Sequence, residues 1–237
     1  MLRAVTFDMD DTLRQVRPFP PQLRFVQLCA AAGIAISSGQ ALAAVRARKR
    51  FHEARKARQE PQTSEWSHRY ARVGLEAAGV TGDLDQLAAA VRDARRRMPA
   101  PSVLDPDVPE VLERLRSRGL VLGVVSNWGA NLAEAMASYG IAPYFASIVD
   151  SVTAGASKPD PTIYWMACAQ MGVTPAECVH VGDSPADDVA VARAVGAAPV
   201  LYDPLDDLDA GCPRIHRLVD LLTLLEVTCG ARGVPPG

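Results

Sequence analysis

Five short runs of this 237-residue chain are apolar almost without interruption and rich in β-branched residues: 2–8 (LRAVTFD), 120–127 (LVLGVVSN), 145–151 (FASIVDS), 177–183 (ECVHVGD) and 197–203 (AAPVLYD). A strand with one wet face alternates apolar and polar side chains. A run that is apolar throughout is covered on both sides, as in a parallel sheet between layers of helix. The segments between the runs carry helix punctuation. Asp107 and Glu110 have the spacing of a capping box, with Val108, Val111, Leu112 and Leu115 on one face and Gly119 as the stop. Asp160–Pro161 opens a helix that Gly172 closes, and Ser184–Pro185 opens another that Gly196 closes. Alternation of this kind predicts an α/β fold, a doubly wound parallel Rossmann-like sheet.

Residues 20–100 have a different texture, rich in Ala, Arg and Gln. The pattern predicts four helices near 21–32, 38–58, 64–79 and 83–98, divided at Gly33, Pro61 and Gly79–Gly82. The expected organisation is a sheet domain from 1–19 and 101–229, a helical insertion at 20–100 and a loose tail at 230–237. Charge divides in the same way. Residues 14–104 carry 16 Lys/Arg against 7 Asp/Glu, and the remainder 9 against 20. Solvated helix faces such as 46–58 (RARKRFHEARKAR) account for this, or an anionic substrate drawn between the two parts.

The bulk composition, 49% hydrophobic and 22% charged, is that of a soluble globular chain. No run approaches the roughly 18 apolar residues of a membrane span, and Arg3 and Asp8 bracket the first apolar run, so neither a signal peptide nor a membrane partner is expected. The five cysteines (Cys29, Cys168, Cys178, Cys212, Cys229) lack CxxC spacing and read as reduced thiols of a cytoplasmic protein. A net charge of −2 and the absence of a recognised motif argue against nucleic acid.

Ligands of open α/β sheets bind beyond the carboxyl ends of the strands. Four polar clusters fall there. Asp8, Asp10, Asp11 and Thr12 follow the first run, Ser126 and Asn127 the second, and Lys158 lies beyond the third. Gly182 and Asp183 follow the fourth, with Asp187 and Asp188 in the next helix. Three carboxylates in four positions repel one another unless a cation neutralises them. Asp8 and Asp10 point the same way in an extended chain. Lys158 is one of 3 lysines against 22 arginines, and an ammonium packs where a wide guanidinium does not. Pro159 favours an extended Lys158. Asp187 stands three residues after Ser184, a capping position. Asp188 shares a face with Val191, Ala192 and Val195 and needs a partner, either Lys158 or the waters of a cation. His52 and His68 read as solvated helix residues, His180 as a core histidine, and His216 has no partner in view. Trp128 either lines an entrance or packs beneath the insertion.

The ordered set DMDDT, VVSN, GASKPDP and GDSPADD resembles the haloacid dehalogenase superfamily of Mg²⁺-dependent phosphohydrolases. That family reads DxDx[TV], Ser or Thr, Lys, then GDxxxD or GDxxxxD, and the insertion resembles its type 1 helical cap. The resemblance implies that Asp8 takes the phosphoryl group as an aspartyl-phosphate and that Asp10 manages the protons. It implies that Ser126, Asn127 and Lys158 bind the phosphoryl group. Mg²⁺ would sit on the Asp8 carboxylate, the Asp10 backbone carbonyl and Asp183, with Asp188, Asp187 and Thr12 behind them. Asp11 stands where the family often has glycine and reads as a turn residue. The implied activity is hydrolysis of a small phosphomonoester by a monomer or homodimer. A phosphomutase of the β-phosphoglucomutase type keeps the same motifs, and a non-catalytic partner-binding member of the fold is a further reading. Dehalogenases of the family lack the second aspartate, and signalling receivers are shorter and phosphorylated after a later strand.

Overall fold

The computed structural model describes residues 1–15 and 20–230, with side chains to 227. The chain forms two compact units, Met1–Arg14 with Leu104–Gly237, and Gln15–Val103. It opens with β1 (Ala4–Phe7) and a short β2 (Arg14–Gln15). Four helices follow, α1 (Pro21–Ala31), α2 (Ser38–Ala57), α3 (Ser64–Ala77) and α4 (Leu84–Arg97), and then β3 (Val103–Leu104). Next come α5 (Val108–Ser117), β4 (Val121–Ser126), α6 (Leu132–Ser138), β5 (Ser147–Asp150), α7 (Ser151–Ala154) and α8 (Thr162–Met171). The chain ends with β6 (Cys178–Gly182), α9 (Ala190–Val195), β7 (Ala198–Tyr202), β8 (Arg214–Ile215) and α10 (Asp220–Gly230).

The first unit is built on a six-stranded sheet of order β5-β4-β1-β6-β7-β8, parallel throughout. The uniformly apolar runs follow from burial on both faces. Val5, Phe7, Leu122 and Val124 pack with Leu112 and Leu115 of α5 and Leu221 of α10. On the other face, Ala4, Val125 and Val149 pack with Ile163 and Tyr164 of α8 and Val191 of α9. The chain builds to one side of β1 through β4 and β5, then to the other through β6 and β7. The strand order therefore reverses beside β1, which places a crevice at its carboxyl end.

The second unit is all helix apart from its ends. Its α1 packs on α2, α2 on α3, α3 on α4, and α4 back on α1. Each helix lies within two residues of its expected span. Ser37 and Gln40 form a capping box at α2, and the Thr63 and Asp83 side chains cap α3 and α4. β2 and β3, where the chain passes between units, form a two-stranded ribbon. The unit boundaries at 14/15 and 103/104 thus fall a few residues from the expected 19/20 and 100/101. Among the described residues no helix is long and apolar enough to cross a membrane. The proposed tail at 230–237 lies outside the described residues apart from Gly230, and so do residues 16–19 and the Cys229 side chain.

Two local readings need correction. The capping box at Asp107 and Glu110 does not form, because the Asp107 side chain makes no cap bond. It accepts instead from Arg217 Nη2 at 2.8 Å and the Val219 N–H at 3.3 Å, tying α5 to the approach of α10. A longer-range partner has outcompeted the local one. After Ser184, residues Pro185–Val189 form a π-helical turn before α9. The wider turn passes the return bond of the capping pair to Asp188. Ser184 Oγ accepts from the Asp187 N–H at 3.2 Å, but the Ser184 N–H donates to Asp188 Oδ2 at 3.0 Å.

Leu112 is fully buried between α5 and the sheet. Replacing it with alanine should leave a cavity and lower stability by about 2–5 kcal/mol in urea unfolding. Leu23→Ala, at a residue 49% exposed, should change stability by less than about 0.5 kcal/mol.

Candidate active site

Asp8 leaves β1 at the crevice, its N–H donating to Val181 O of β6 at 2.9 Å. The side chain is buried, and Oδ1 accepts from Ser126 Oγ at 3.0 Å and Lys158 Nζ at 2.6 Å. Ser126 is the last residue of β4, so two neighbouring strands deliver acceptor and donor to one point. Lys158 Nζ makes two further bonds, to Asp188 Oδ1 at 2.5 Å and Val125 O at 2.8 Å. All three ammonium hydrogens are thereby engaged. Asn127 fixes the base of this lysine. Its Oδ1 accepts the Lys158 N–H at 2.7 Å and its Nδ2 donates to Lys158 O at 3.0 Å. Both ends of the Asn127 amide therefore hold the backbone of Lys158, a task different from the substrate contact expected for it. The Lys158–Pro159 peptide is cis.

Asp188 is the second anchor of the ammonium. Its Oδ1 also faces His180 Nε2 at 3.2 Å, and its Oδ2 takes the Ser184 N–H. A carboxylate only accepts, so Nε2 carries a proton. His180 Nδ1 lies 2.9 Å from Thr6 Oγ1, itself 2.8 Å from Tyr164 Oη. A polar chain therefore runs through the sheet from Tyr164 to Asp8. His180 is buried, as expected of a core histidine, but it belongs to the site's framework. The signal was present in the sequence: Thr6 and His180 are polar residues inside apolar strands, and they are register partners on β1 and β6. Gly182 is required by the same packing. A Cβ there would lie 2.2 Å from Asp188 Cγ, far inside contact distance.

Burial disfavours the Lys158 ammonium, but the charges of Asp188 and Asp8 outweigh it and hold the pKa above its ordinary value. Burial likewise works against the Asp188 carboxylate. Lys158 and then His180 overcome it, and its pKa lies well below the usual carboxylate range. Asp10 behaves differently. Burial pushes its pKa up to about 6, the Arg14 guanidinium opposes this, and the charges of Asp8 and Asp11 add to it. Its Oδ1 accepts from Arg14 Nε at 2.7 Å and pairs with Nη2. The same guanidinium lies 4.2 Å from the centroid of the Trp128 ring, whose Nε1 donates to Asn131 Oδ1. Arg14 was not foreseen, although its position four residues after Asp10 was visible. Asp11 turns the loop with a φ of 58°, a conformation aspartate tolerates better than most residues.

The carboxylates of Asp8, Asp183 and Asp188 offer one oxygen each within 4.8 Å of one another. Three hard anionic oxygens on one edge suit a divalent cation bound through oxygen. Within this group Asp188 is bonded through both oxygens, to Lys158 and His180 at Oδ1 and to the Ser184 N–H at Oδ2. The structure thus brings together Asp8, Ser126, Lys158, Asp183 and Asp188. Asp10 bonds Arg14 while the charge of Asp8 still acts on it, and Asp187 contributes its N–H to Ser184. The Thr12 hydroxyl is buried without a hydrogen-bond partner among the described residues. Of the other histidines, His52 packs on Trp66 and Tyr70, His68 pairs with Asp85 at 3.1 Å, and His216 Nδ1 lies 2.9 Å from Asp203 O.

A model of haloacid dehalogenase-like hydrolases matches residues 2–196. A haloacid dehalogenase-like hydrolase domain-containing protein 3 from Bos taurus is 32% identical over 251 positions, covering 94% of this chain and 92% of that protein. A phosphoserine phosphatase from Thermus thermophilus is 36% identical over 129 residues, a match spanning 54% of this chain and only half of the relative's length. A solved 2-haloacid dehalogenase from Pseudomonas syringae is 27% identical, with a TM-score of 0.56 over 96% of this chain and the whole of the other.

Replacing Lys158 with methionine strands two buried carboxylates and should cost about 3–5 kcal/mol of stability at pH 7, read by urea unfolding. Because Asp188 titrates below its unfolded value, its contribution is complete above pH 4 and is lost as pH falls through the folded pKa. The deficit of the variant should therefore narrow in acid. Asp10 carries the opposite sign: its folded pKa is raised, so the stability it contributes falls as pH rises from 3.8 to about 6. Carbon-13 NMR of the metal-free protein should show this carboxyl titrating near 6, and Arg14→Gln should move it higher.

Proposed function

The chain belongs to the haloacid dehalogenase-like hydrolase family, and on that premise we propose that it hydrolyses a small phosphomonoester, with Mg²⁺ as cofactor, through an aspartyl-phosphate on Asp8. The observation that carries this reading is the pairing of two unlike carboxyl groups. Asp8 accepts hydrogen bonds from the Lys158 ammonium and the Ser126 hydroxyl. Asp10 is lifted to about 6, within range of a group that gives up and takes back a proton near neutrality.

The roles follow from those positions. An Asp8 oxygen attacks phosphorus, the bond to the ester oxygen breaks, and Asp10 gives its proton to the leaving oxygen, which departs as an alcohol. Water then attacks phosphorus, Asp10 takes its proton, and cleavage of the phosphorus–Asp8 bond returns the carboxylate and releases inorganic phosphate. Lys158 and Ser126 both lie on the Asp8 carboxylate; the ammonium neutralises charge and the hydroxyl donates a hydrogen bond where the phosphoryl group arrives. Asp8, Asp183 and the Asp10 carbonyl would hold Mg²⁺, which would supply positive charge against the repulsion between a carboxylate and a phosphate dianion. Asp188 supports Lys158, and the helical unit takes the part of the family's cap, which sets specificity.

The similarity to a phosphoserine phosphatase supports a phosphate ester as the substrate class, and the similarity to a 2-haloacid dehalogenase points elsewhere. Asp10 supports the first of these. A halide leaves without a proton, whereas an ester oxygen needs one, and only the second reaction gives an acid of this kind work to do.

Purified protein should release inorganic phosphate from members of a panel of metabolite phosphomonoesters with Mg²⁺, and chelation by EDTA should abolish release. Asp8→Asn should lower turnover by about 10³-fold or more. Unchanged turnover in that variant would overturn the mechanism. Recovery of an isomerised sugar phosphate in place of inorganic phosphate would instead identify a mutase.

A further inference from the structure

The helical unit contains a cavity of about 310 Å³ bounded by α1, α2, α4 and the chain leaving α4. Among the described residues its wall carries three guanidinium groups, Arg24 of α1, Arg48 of α2 and Arg95 of α4, and no carboxylate. The rest is largely apolar, with Phe25, Leu28 and Val45 at its back. Arg48 is the built feature of this wall. It is only 8% exposed, and its guanidinium lies 4.2 Å from the ring centroid of Tyr70 and 4.8 Å from that of Phe25. Contacts with two aromatic rings fix the plane of the cation.

The neighbouring helix makes room for it. Gly74 occupies the interior of α3, where glycine weakens a helix more than any residue but proline. A Cβ at that position would lie 2.5 Å from Arg48 Cδ, 3.1 Å from its Cγ and 3.2 Å from Phe25 Cζ. Two local preferences are thus set aside at one place: a helix interior gives up its side chain, and a guanidinium is buried against rings. Departures of this kind concentrate where a site has to be shaped. Arg24 is bonded to Met98 O and reaches Gln27 Oε1 at 3.5 Å, which steadies the rim.

We propose that this cavity binds a small organic anion, one whose carboxylate or phosphate oxygens meet Arg48 and Arg95 while its apolar body lies on Phe25, Leu28 and Val45. A planar guanidinium presents paired N–H groups that match either oxyanion. An apolar pocket with a few convergent polar groups is the usual form of a small-ligand site. The site lies wholly within the helical unit and shares no residue with the Asp8 cluster. Its existence does not rest on the phosphatase reading.

Calorimetric titration of the full chain with phthalate and with phenyl phosphate, in EDTA so that no turnover contributes, tests the proposal. Saturable binding of either probe is expected. Arg48→Met and the exposed Arg95→Gln should each weaken it about tenfold. Gly74→Ala should weaken it comparably although every charge is kept, with folding followed by circular dichroism. If Arg48→Met or Gly74→Ala fails to fold, Arg95→Gln carries the test. Uncharged dimethyl phthalate should not bind. Binding of both probes or of phthalate alone supports the site, and binding of phenyl phosphate alone supports it with phosphate as the group read, provided Arg95→Gln weakens it. Saturation by neither probe, equal binding in Arg95→Gln, or equal binding of the neutral ester would overturn the proposal. None of these readouts depends on phosphate release, so this site and the phosphatase reading can fail separately.

Discussion

A single buried ammonium organises the first unit. Lys158 stands between Asp8 and Asp188 and also bonds the carbonyl of Val125. Remove it in thought, and two buried carboxylates face each other across a low-dielectric crevice, which no apolar packing offsets. With it in place, the end of β1, the end of β4 and the turn before α9 are tied to one atom. The surroundings follow from that constraint. Asn127 holds the lysine's backbone from both sides, His180 steadies Asp188, and Gly182 lacks a side chain because the Asp188 carboxylate occupies the space a Cβ would take.

The sheet explains why these residues, distant in sequence, share one edge. Strand order reverses beside β1, so the loops after β1, β4 and β6 diverge from a common crevice. The helices that cover both faces bury the strands and leave their carboxyl ends as the place where polar chemistry can gather. Two carboxyl groups close in sequence then acquire opposite characters. Asp8 is buried against the Lys158 ammonium, whereas Asp10 sits on the loop with Arg14 and is raised by burial toward neutrality. The roles proposed for them, attack and proton transfer, rest on this difference in environment more than on the shared residue type.

The helical unit follows another logic. Its excess of arginine is in part a solvated surface, as the Arg72 pairs with Glu76 and Asp85 on exposed faces show. Arg48 departs from that pattern, since it is buried between rings behind a helix glycine. The charge asymmetry visible in composition therefore has two origins, one on the surface and one in a cavity wall.

The sequence by itself determined the parallel α/β class, the five long strands, the four inserted helices and the residues Asp8, Ser126, Lys158, Asp183 and Asp188 at the sheet edge. These are local properties: periodicity, punctuation and polar residues where an apolar run stops. Only the tertiary structure decided which partner each polar group takes. Asp107 left its expected cap for Arg217 and Val219, Asn127 turned to the Lys158 backbone, and a π turn gave Asp188 the bond that spacing assigned to Asp187. His180 became part of the site through its register with Thr6, and Arg14 through the fold of its loop onto Asp10 and Trp128. The physical reason is common to all of these. A hydrogen-bonding group takes the best acceptor or donor that packing brings within about 3 Å, and sequence spacing specifies such neighbours only within one turn of helix or one step of strand.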